Sequence, residues 1–369
     1  MKLKKDIDWL TIVTHDANGG AEQTQKNLIS YLLEEGKICH VIILRKKHVS
    51  FWNDLEDKCK IVYFPFPSHS VGYLCLLPYL IWLKSKNNIS YIFSSQTLIN
   101  GLVGGYKRFG ILKKSKIIVR ESTSIFQRSL NFLNKRKYLL AYKLGYPGAD
   151  LVICQTDFMK KELIKNLSSL EKKVKIEVIS NPINHKEIRL KALEVIPSLE
   201  TDNYMVTAGR LIPEKGYDLL IDAYQKVHSK LEGHKLFILG KGPEEENLRT
   251  RINTLGLENQ IFLKGSVPNV YPYFKNARLC VMSSRVEGFP NVLLQMMSQN
   301  ENVVSTLSAG DIGEIPCIYT SPVNDTEQLA STILECYKSD NSGKRKVMNQ
   351  FLKKRGLDVF IKTIENHVV

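Results

Sequence analysis

The stretch EGFPNVLLQ, residues 287–295, sets an acid, a glycine and an aromatic ahead of Pro290 and Asn291, and then carries Gln295 inside an apolar run. It follows ARLCVMSS (277–284), which reads as a buried strand, and Pro290 suits the first position of a helix. The N–H groups around Phe289–Val292 then lack partners within the helix and can meet an anion or a hydroxyl. Glu287 stands just before them, where a carboxylate can accept from vicinal hydroxyls. Asn291 and Gln295, four apart, share one helix face. Val292, Leu293, Met296 and Met297 supply the apolar faces. The chemistry on offer is the holding of a hydroxyl-rich, anionic small molecule by an acid and an amide about two turns apart.

Three other loops add charge or close backbone approach. In TAGRLIPEKGYDLL (207–220), Arg210 follows a strand and Lys215 precedes Gly216 at a helix start. An arginine grips phosphate through two parallel hydrogen bonds and a lysine adds a mobile point charge. Together they can neutralise a diphosphate leaving group; the plainer alternative is a surface pair beside Glu214. In LGKGPEEENLR (239–249), Gly240 and Gly242 lie between strand and helix, and no lysine-serine pair follows, so this is not a P-loop. It is either a wall for a nucleoside or an ordinary turn. In THDANGGAEQ (14–23), Gly19 and Gly20 open a helix and leave room for an oxyanion. The GxGxxG spacing is missing, as is the acid ~20 residues on that a dinucleotide ribose requires. His15 in this loop is a further candidate whose plainer reading is structural.

These loops need strands and helices to position them, and the apolar pattern supplies both. Short apolar runs at 8–13, 39–44, 60–64, 89–94, 115–120, 149–154 and 174–180 alternate with helical segments such as 21–36. The pattern breaks at Asn181-Pro182. A second series begins at 204–209 and continues through 234–240, 260–265, 277–284 and 302–306, with helices at 217–231, 244–256, from 290, and at 326–338. Near-continuous apolar strands alternating with helices mark parallel sheets covered on both faces. The expectation is an α/β protein of two doubly wound domains facing across a cleft, with the ligand outside the carboxyl ends of the strands. We place the first domain at 1–183, a linker at 184–202, the second domain at 203–345, and a C-terminal helix at 346–369 that packs back on the first domain.

Charge and cysteine usage narrow the function classes. The chain carries a net +15, yet residues 1–180 hold 29 Lys and Arg against 15 Asp and Glu, while the remaining residues hold 23 against 22. Between 107 and 143 there are eleven basic residues and one acid, Glu121. Such a field attracts a polyanion: nucleic acid, anionic lipid or a phosphate-bearing substrate. The basic stretch lacks the interleaved aromatics and modules of RNA binders. The seven cysteines are scattered singly, with no CxxC pair and no His/Cys cluster at metal spacing, which points to a reducing compartment and away from zinc. The apolar stretch of the N-terminus is too short for the core of a signal peptide. The longest greasy run, 71–84, is shorter than the ~20 residues of a bilayer span.

Taken together, GGAE (19–22), ISNPI (179–183), GRLIPEKG (209–216), GKGPEEENL (240–248) and EGFPNVLLQMM (287–297) resemble the retaining glycosyltransferases of family 4, which have the GT-B fold of two Rossmann-like domains. The likeness is strongest over about 203–300. It implies that Gly19 and Gly20 lie against the donor's sugar-phosphate, and that Arg210 and Lys215 bind the diphosphate in place of a metal. It implies further that Glu287 contacts the donor sugar's hydroxyls and that the backbone of Gly288, Phe289, Pro290 and Asn291 holds phosphate and sugar. Glu287 is the first glutamate of the family's E-x7-E signature. The second, which binds the ribose, is replaced here by Gln295, an uncharged acceptor of about half the strength. Where many members carry a histidine after the strand at 116–120, this chain has Arg120 and Glu121. Glu121 either orients an acceptor hydroxyl or pairs with Arg120. The glycine-rich ending after GDIGEIP (310–316) is replaced by CIYTSPVND, with Asp311 and Glu314 at the border of the donor sugar.

The resemblance implies transfer of a hexose or N-acetylhexosamine, with retention, from a UDP-sugar to a sugar hydroxyl of a lipid-diphosphate-linked oligosaccharide in bacterial O-antigen or capsule assembly. No cofactor and no metal are implied, there being no DxD at a strand end; the nucleotide-sugar is a substrate. The basic first half, and 128–146 with its mixture of Leu, Phe, Tyr and five cations, suit a peripheral protein on the anionic inner face of the plasma membrane. Nucleic acid is not an expected partner. The rival readings are a nucleotide-sugar epimerase of the same fold and a polyanion-binding protein.

Overall fold

A computed structural model describes residues 5–17, 19–46, 50–66, 68–123, 125–127, 131–199 and 203–368. The chain forms two compact units. Met1–Pro182 and Leu357–Val369 make the first, and Ile183–Gly356 the second.

The first unit is built on seven strands: β1 (Lys5–Val13), β2 (Cys39–Ile43), β3 (Lys60–Tyr63), β4 (Asn87–Ser94), β5 (Lys116–Arg120), β6 (Leu151–Cys154) and β7 (Ile176–Val178). They pair in parallel in the order β3-β2-β1-β4-β5-β6-β7. Runs such as Leu151–Cys154 are buried at every residue because helices cover both sheet faces. The chain leaves β1 toward β2 and later returns to its other side as β4, so the reversal of strand order lies between β1 and β4. On one face, Leu28, Ile29 and Leu32 of the helix Gly20–Glu34 share a core with Trp9, Val13, Val41 and Ile43. Phe360, Ile361, Ile364 and Val368 of the helix Leu357–Val368 complete that core. The helix end is tied down by Lys175 Nζ, which donates to the His367 carbonyl at 3.1 Å.

The second unit has six strands: β8 (Tyr204–Ala208), β9 (Lys235–Leu239), β10 (Ile261–Gly265), β11 (Leu279–Met282), β12 (Val303–Thr306) and β13 (Tyr319–Ser321). They are parallel in the order β10-β9-β8-β11-β12-β13, with the reversal between β8 and β11. Helices Tyr217–Val227 and Thr326–Lys338 pack on one face, and Asn291–Gln299 and Lys344–Lys353 on the other. β13 falls in the stretch CIYTSPVND, where the apolar pattern gave no strand. Its partner β12 supplies the pairing that its own three residues do not announce.

Two segments differ from the sequence expectation. The polar segment 184–202 includes the helix His185–Lys191, capped by Asn184, whose side chain accepts from Glu187 N–H. The run 346–369 is not one helix. Lys344–Lys353 belongs to the second unit and Leu357–Val368 to the first. The helical bonding stops because the Arg355 carbonyl accepts from Ile183 N–H at 2.8 Å, and Gly356 forms a parallel bridge with Ile183.

Ile364 is fully buried beneath the first sheet. Ile364→Ala is expected to destabilise the first unit by about 2–5 kcal/mol, through lost transfer energy and the cavity left behind. Urea unfolding followed by far-UV circular dichroism measures this as a lowered midpoint.

Candidate functional site

In the second unit, the loops after β8, β9 and β11 close on one another at the carboxyl ends of the strands. Gly209 N–H donates to the Leu239 carbonyl at 2.9 Å, Leu211 N–H to that of Lys241 at 3.0 Å, and Glu244 N–H to that of Leu211 at 3.1 Å. A Cβ on Gly240 would stand 1.8 Å from the Gly209 carbonyl oxygen, and one on Gly242 would stand 2.2 Å from that of Leu211. Both glycines therefore serve backbone-to-backbone packing of the two loops. Gly216 has a left-handed φ of 61° and caps the helix Tyr217–Val227, with the Ser283 carbonyl 2.3 Å from where a Cβ would be. That contact presses the Lys215 turn against the loop after β11.

The result is an ion pair between elements 72 residues apart. Lys215 Nζ lies 2.5 Å from Glu287 Oε1, and the two side chains are 18% and 15% exposed, so solvent screens them only in part. Ser284 Oγ donates to the same oxygen at 2.8 Å, and Glu287 N–H donates to the Ser308 carbonyl at 2.8 Å. Ser283 Oγ donates to the Lys215 carbonyl at 3.0 Å. The turn carrying Lys215 is braced by Arg285, which forks onto Asp218 at 2.8 and 2.6 Å and donates to the Pro213 carbonyl at 2.8 Å. Burial pushes the Asp218 carboxyl up, but its hydrogen bonds and opposite charge from Arg285 outweigh this and hold it below the usual carboxylate value. Tyr217 is buried under the site, and burial together with the Glu287 charge raises its hydroxyl well above the ordinary tyrosine value.

Arg210 follows β8 and is exposed. Gly288, Phe289 and Pro290 are buried, and Asn291 and Gln295 are partly so. Pro290 is the cap of the helix Asn291–Gln299 rather than its first residue; its backbone is extended (φ −79°, ψ 109°). The Phe289 ring is buried, 5.0 Å from the Arg355 guanidinium. Burial draws the Arg355 guanidinium down to about 10, opposed by the Asp311 charge. Gln295 Nε2 donates to the Tyr271 hydroxyl at 3.3 Å, fixing the amide and leaving Oε1 as its acceptor. Asp311 takes a left-handed φ of 65° ahead of the turn Ile312–Glu314.

In the first unit, Gly19 caps the helix Gly20–Glu34 in extended backbone. A Cβ on Gly19 would meet Glu22 Oε2 at 2.4 Å, so a carboxylate occupies the space over this helix start. Glu121 makes hydrogen bonds to tyrosines, while Arg120 acts on it through charge. Its oxygens accept from Tyr142, at 2.5 Å, and from Tyr146. The Arg120 Nη groups donate instead to Ser95, at 2.8 Å, and to Asn181. Arg120 and Glu121 are both buried, at 1% and 3% exposure, and no edge of the carboxyl is offered to an acceptor hydroxyl. Burial raises the Glu121 carboxyl and lowers the Arg120 guanidinium to about 10.

Several participants escaped the sequence reading. Ser283 and Ser284 close the strand before the glutamate, and a paired serine at a strand end was a legible signal. Arg285–Asp218 and Gln295–Tyr271 join residues far apart in sequence, and no local pattern announces them.

Residues 189–355 match the family model of glycosyl transferases group 1. A transferase of Campylobacter jejuni, N-acetylgalactosamine-N,N'-diacetylbacillosaminyl-diphospho-undecaprenol 4-alpha-N-acetylgalactosaminyltransferase, is 33% identical over 78% of this chain and 78% of its own length. An uncharacterized glycosyltransferase of Methanocaldococcus jannaschii is 31% identical over 57% of this chain, which spans about half of that relative, 53%. The solved structure of the Anabaena protein HepE in complex with UDP and glucose superposes with a TM-score of 0.77 at 18% identity, covering 98% of both chains. That likeness identifies the two sheets as a GT-B fold.

The buried Glu121 gives a pH signature. Its raised pKa means that the folded chain keeps a proton the unfolded chain releases near the ordinary 4.5. The associated stability is complete below that pH and is lost as pH rises through the folded value. Glu121→Gln cannot ionise, so its urea midpoint should fall less between pH 4.5 and neutrality than that of the wild type.

Proposed function

This chain belongs to the glycosyl transferases group 1 family, and on that premise we propose that it moves a hexose or N-acetylhexosamine from a UDP-sugar to a hydroxyl of a lipid-diphosphate-linked glycan, with retention of configuration, in assembly of a bacterial surface polysaccharide. The observation that carries this reading is the Lys215–Glu287 pair at the carboxyl ends of the second sheet, with Arg210 in the same loop. Lys215 and Arg210 place positive charge where a departing diphosphate gathers negative charge. Glu287, anchored by Ser284 and Lys215, receives the donor sugar's hydroxyls. The backbone of Gly288–Asn291 meets phosphate and sugar at the helix start, and Gln295 Oε1 accepts from the ribose. The departing diphosphate then takes up the acceptor proton on the same face of the sugar, as the retaining outcome requires. HepE's complex with UDP and glucose and the diphospho-undecaprenol substrate in the Campylobacter relative's name support a UDP donor and a lipid-linked acceptor.

A lipid-linked acceptor brings the protein to a membrane surface, and the first unit offers a face for it. No helix among the described residues is long and apolar enough to cross a membrane. The helix Phe132–Leu140 buries none of its side chains. Phe132, Leu133, Leu140 and Leu144 are 71%, 68%, 58% and 51% exposed among Lys135, Arg136, Lys137 and Lys143. Residues 128–130 of the basic stretch lie outside the described residues. Apolar anchors among cations suit the cytoplasmic leaflet, where each Lys or Arg contributes ~1 kcal/mol.

Two experiments test this. Glu287→Ala should lower transfer from UDP-sugars by about 100-fold or more, and undiminished turnover would remove Glu287 from the site. On anionic liposomes, wild type should float at low salt, and Phe132→Ser/Leu133→Ser should remain at the bottom of the gradient.

A further inference from the structure

Two loops of the second unit's site act on a cation that the donor chemistry does not use. The Arg355 guanidinium carbon is 5.0 Å from the centre of the Phe289 ring, in the loop after β11, and 4.5 Å from that of Phe351. Asp311, in the loop after β12, supports its charge against the desolvation that burial brings. The backbone beneath the side chain is fixed from both directions. Arg355 N–H donates to the Leu352 carbonyl at 2.9 Å, and the Arg355 carbonyl accepts from Ile183 N–H at 2.8 Å. Gly356, next in the chain, forms the parallel bridge with Ile183. Phe351 belongs to the helix Lys344–Lys353, so the cation and both rings meet where that helix ends.

Arg355 Nη1 is buried and has no hydrogen-bond partner. A buried N–H without an oxygen acceptor is costly. Two ring faces within about 6 Å offset that cost, more so for a desolvated cation than for one in water. A planar guanidinium suits such stacking better than an ammonium does. On the other side of the contact, Phe289 is 5% exposed. It is the largest buried side chain between Glu287 and Asn291, where Gly288 has no side chain and Pro290 no N–H. The segment is tied on either side by Glu287 N–H to the Ser308 carbonyl, at 2.8 Å, and by Leu293 N–H to the Pro290 carbonyl, at 3.1 Å. Between those ties, the shape of the loop depends on where the Phe289 ring is seated. We infer that Arg355 is a positioning residue for this loop: its guanidinium, held against the Phe289 and Phe351 rings, seats Phe289 and so fixes the backbone of Gly288–Asn291. The seating rests on these contacts; its consequence for a donor rests on the transferase reading.

Hydrogen exchange followed by mass spectrometry on the full chain reads the seating directly, through the hydrogen-bonded N–H groups of Glu287 and Leu293. Arg355→Met keeps the length and apolar packing of the side chain without its charge. It should speed exchange in the segment 286–294 by about tenfold, with β8 and β9 unchanged, and weaken UDP binding in calorimetry by about tenfold. Arg355→Lys keeps a cation against the rings and should stay within about threefold of wild type in both measurements. If Arg355→Met does not fold, Phe289→Leu removes the same contact from its other side and should give the same local rise in exchange. Such a role is overturned if exchange in 286–294 does not change, or if it rises equally throughout the chain. It is also overturned if Arg355→Lys behaves as Arg355→Met, or if UDP binds Arg355→Met as tightly as wild type. If wild type does not bind UDP while the local exchange pattern and its rescue by lysine hold, the donor reading fails and the role of Arg355 stands.

Discussion

The Lys215–Glu287 ion pair is the interaction around which the loops of the second unit are arranged. It is partly buried, and its geometry depends on backbone contacts that tolerate no side chain. The loops after β8 and β9 touch carbonyl to Cα at Gly240 and Gly242, and the helix cap at Gly216 lies against the Ser283 carbonyl. A lysine on one loop therefore reaches a glutamate on another with little freedom to miss it. The surrounding bonds run outward from this pair: Ser284 to the carboxylate, Ser308 to the glutamate backbone, and Arg285 to Asp218 and Pro213. A carboxylate held in this way has its charge balanced before a ligand arrives. In the proposed transfer, an arriving phosphate would meet Lys215 already in place and the sugar an acid already oriented, the condition under which electrostatic stabilisation costs least reorganisation.

The two units use buried acids in contrasting ways. Glu287 remains at the surface of its site and is ion-paired. Glu121 is buried in the first unit, hydrogen-bonded by two tyrosine hydroxyls, and burial favours its protonated form against the opposing charge of Arg120. Arg120 beside it is held by Ser95 and Asn181. The basicity of the first half has no such internal partner at 132–144, where apolar and cationic side chains stand side by side in solvent.

Much of this was legible in the sequence because parallel sheets write their strands as continuous apolar runs. Every strand but β13 falls on such a run, and the loops with Lys215 and Glu287 were found because glycine and charge collect at strand ends. What could not be read was pairing across distance. Nothing local links Tyr271 to Gln295, Asp218 to Arg285, or Phe289 to Arg355. Glu121 shows the limit from the other side: its position after β5 was read correctly, but its partners are tyrosines more than twenty residues further on, and only packing reveals them. The C-terminal run kept helical periodicity through a point where the backbone turns away, since periodicity records which faces are apolar and not whether the bonding ladder is continuous.

The paired crossing at Ile183 and Gly356 makes the second unit an insertion in the chain of the first. On the ribosome, the first seven strands emerge while the surface meant for Phe360, Ile361, Ile364 and Val368 is still uncovered. At 5–20 residues per second, the second unit takes roughly ten to thirty-five seconds to be made before that helix arrives. During that interval the nascent first sheet lacks the four side chains that complete this core, so the first unit closes last although it begins first.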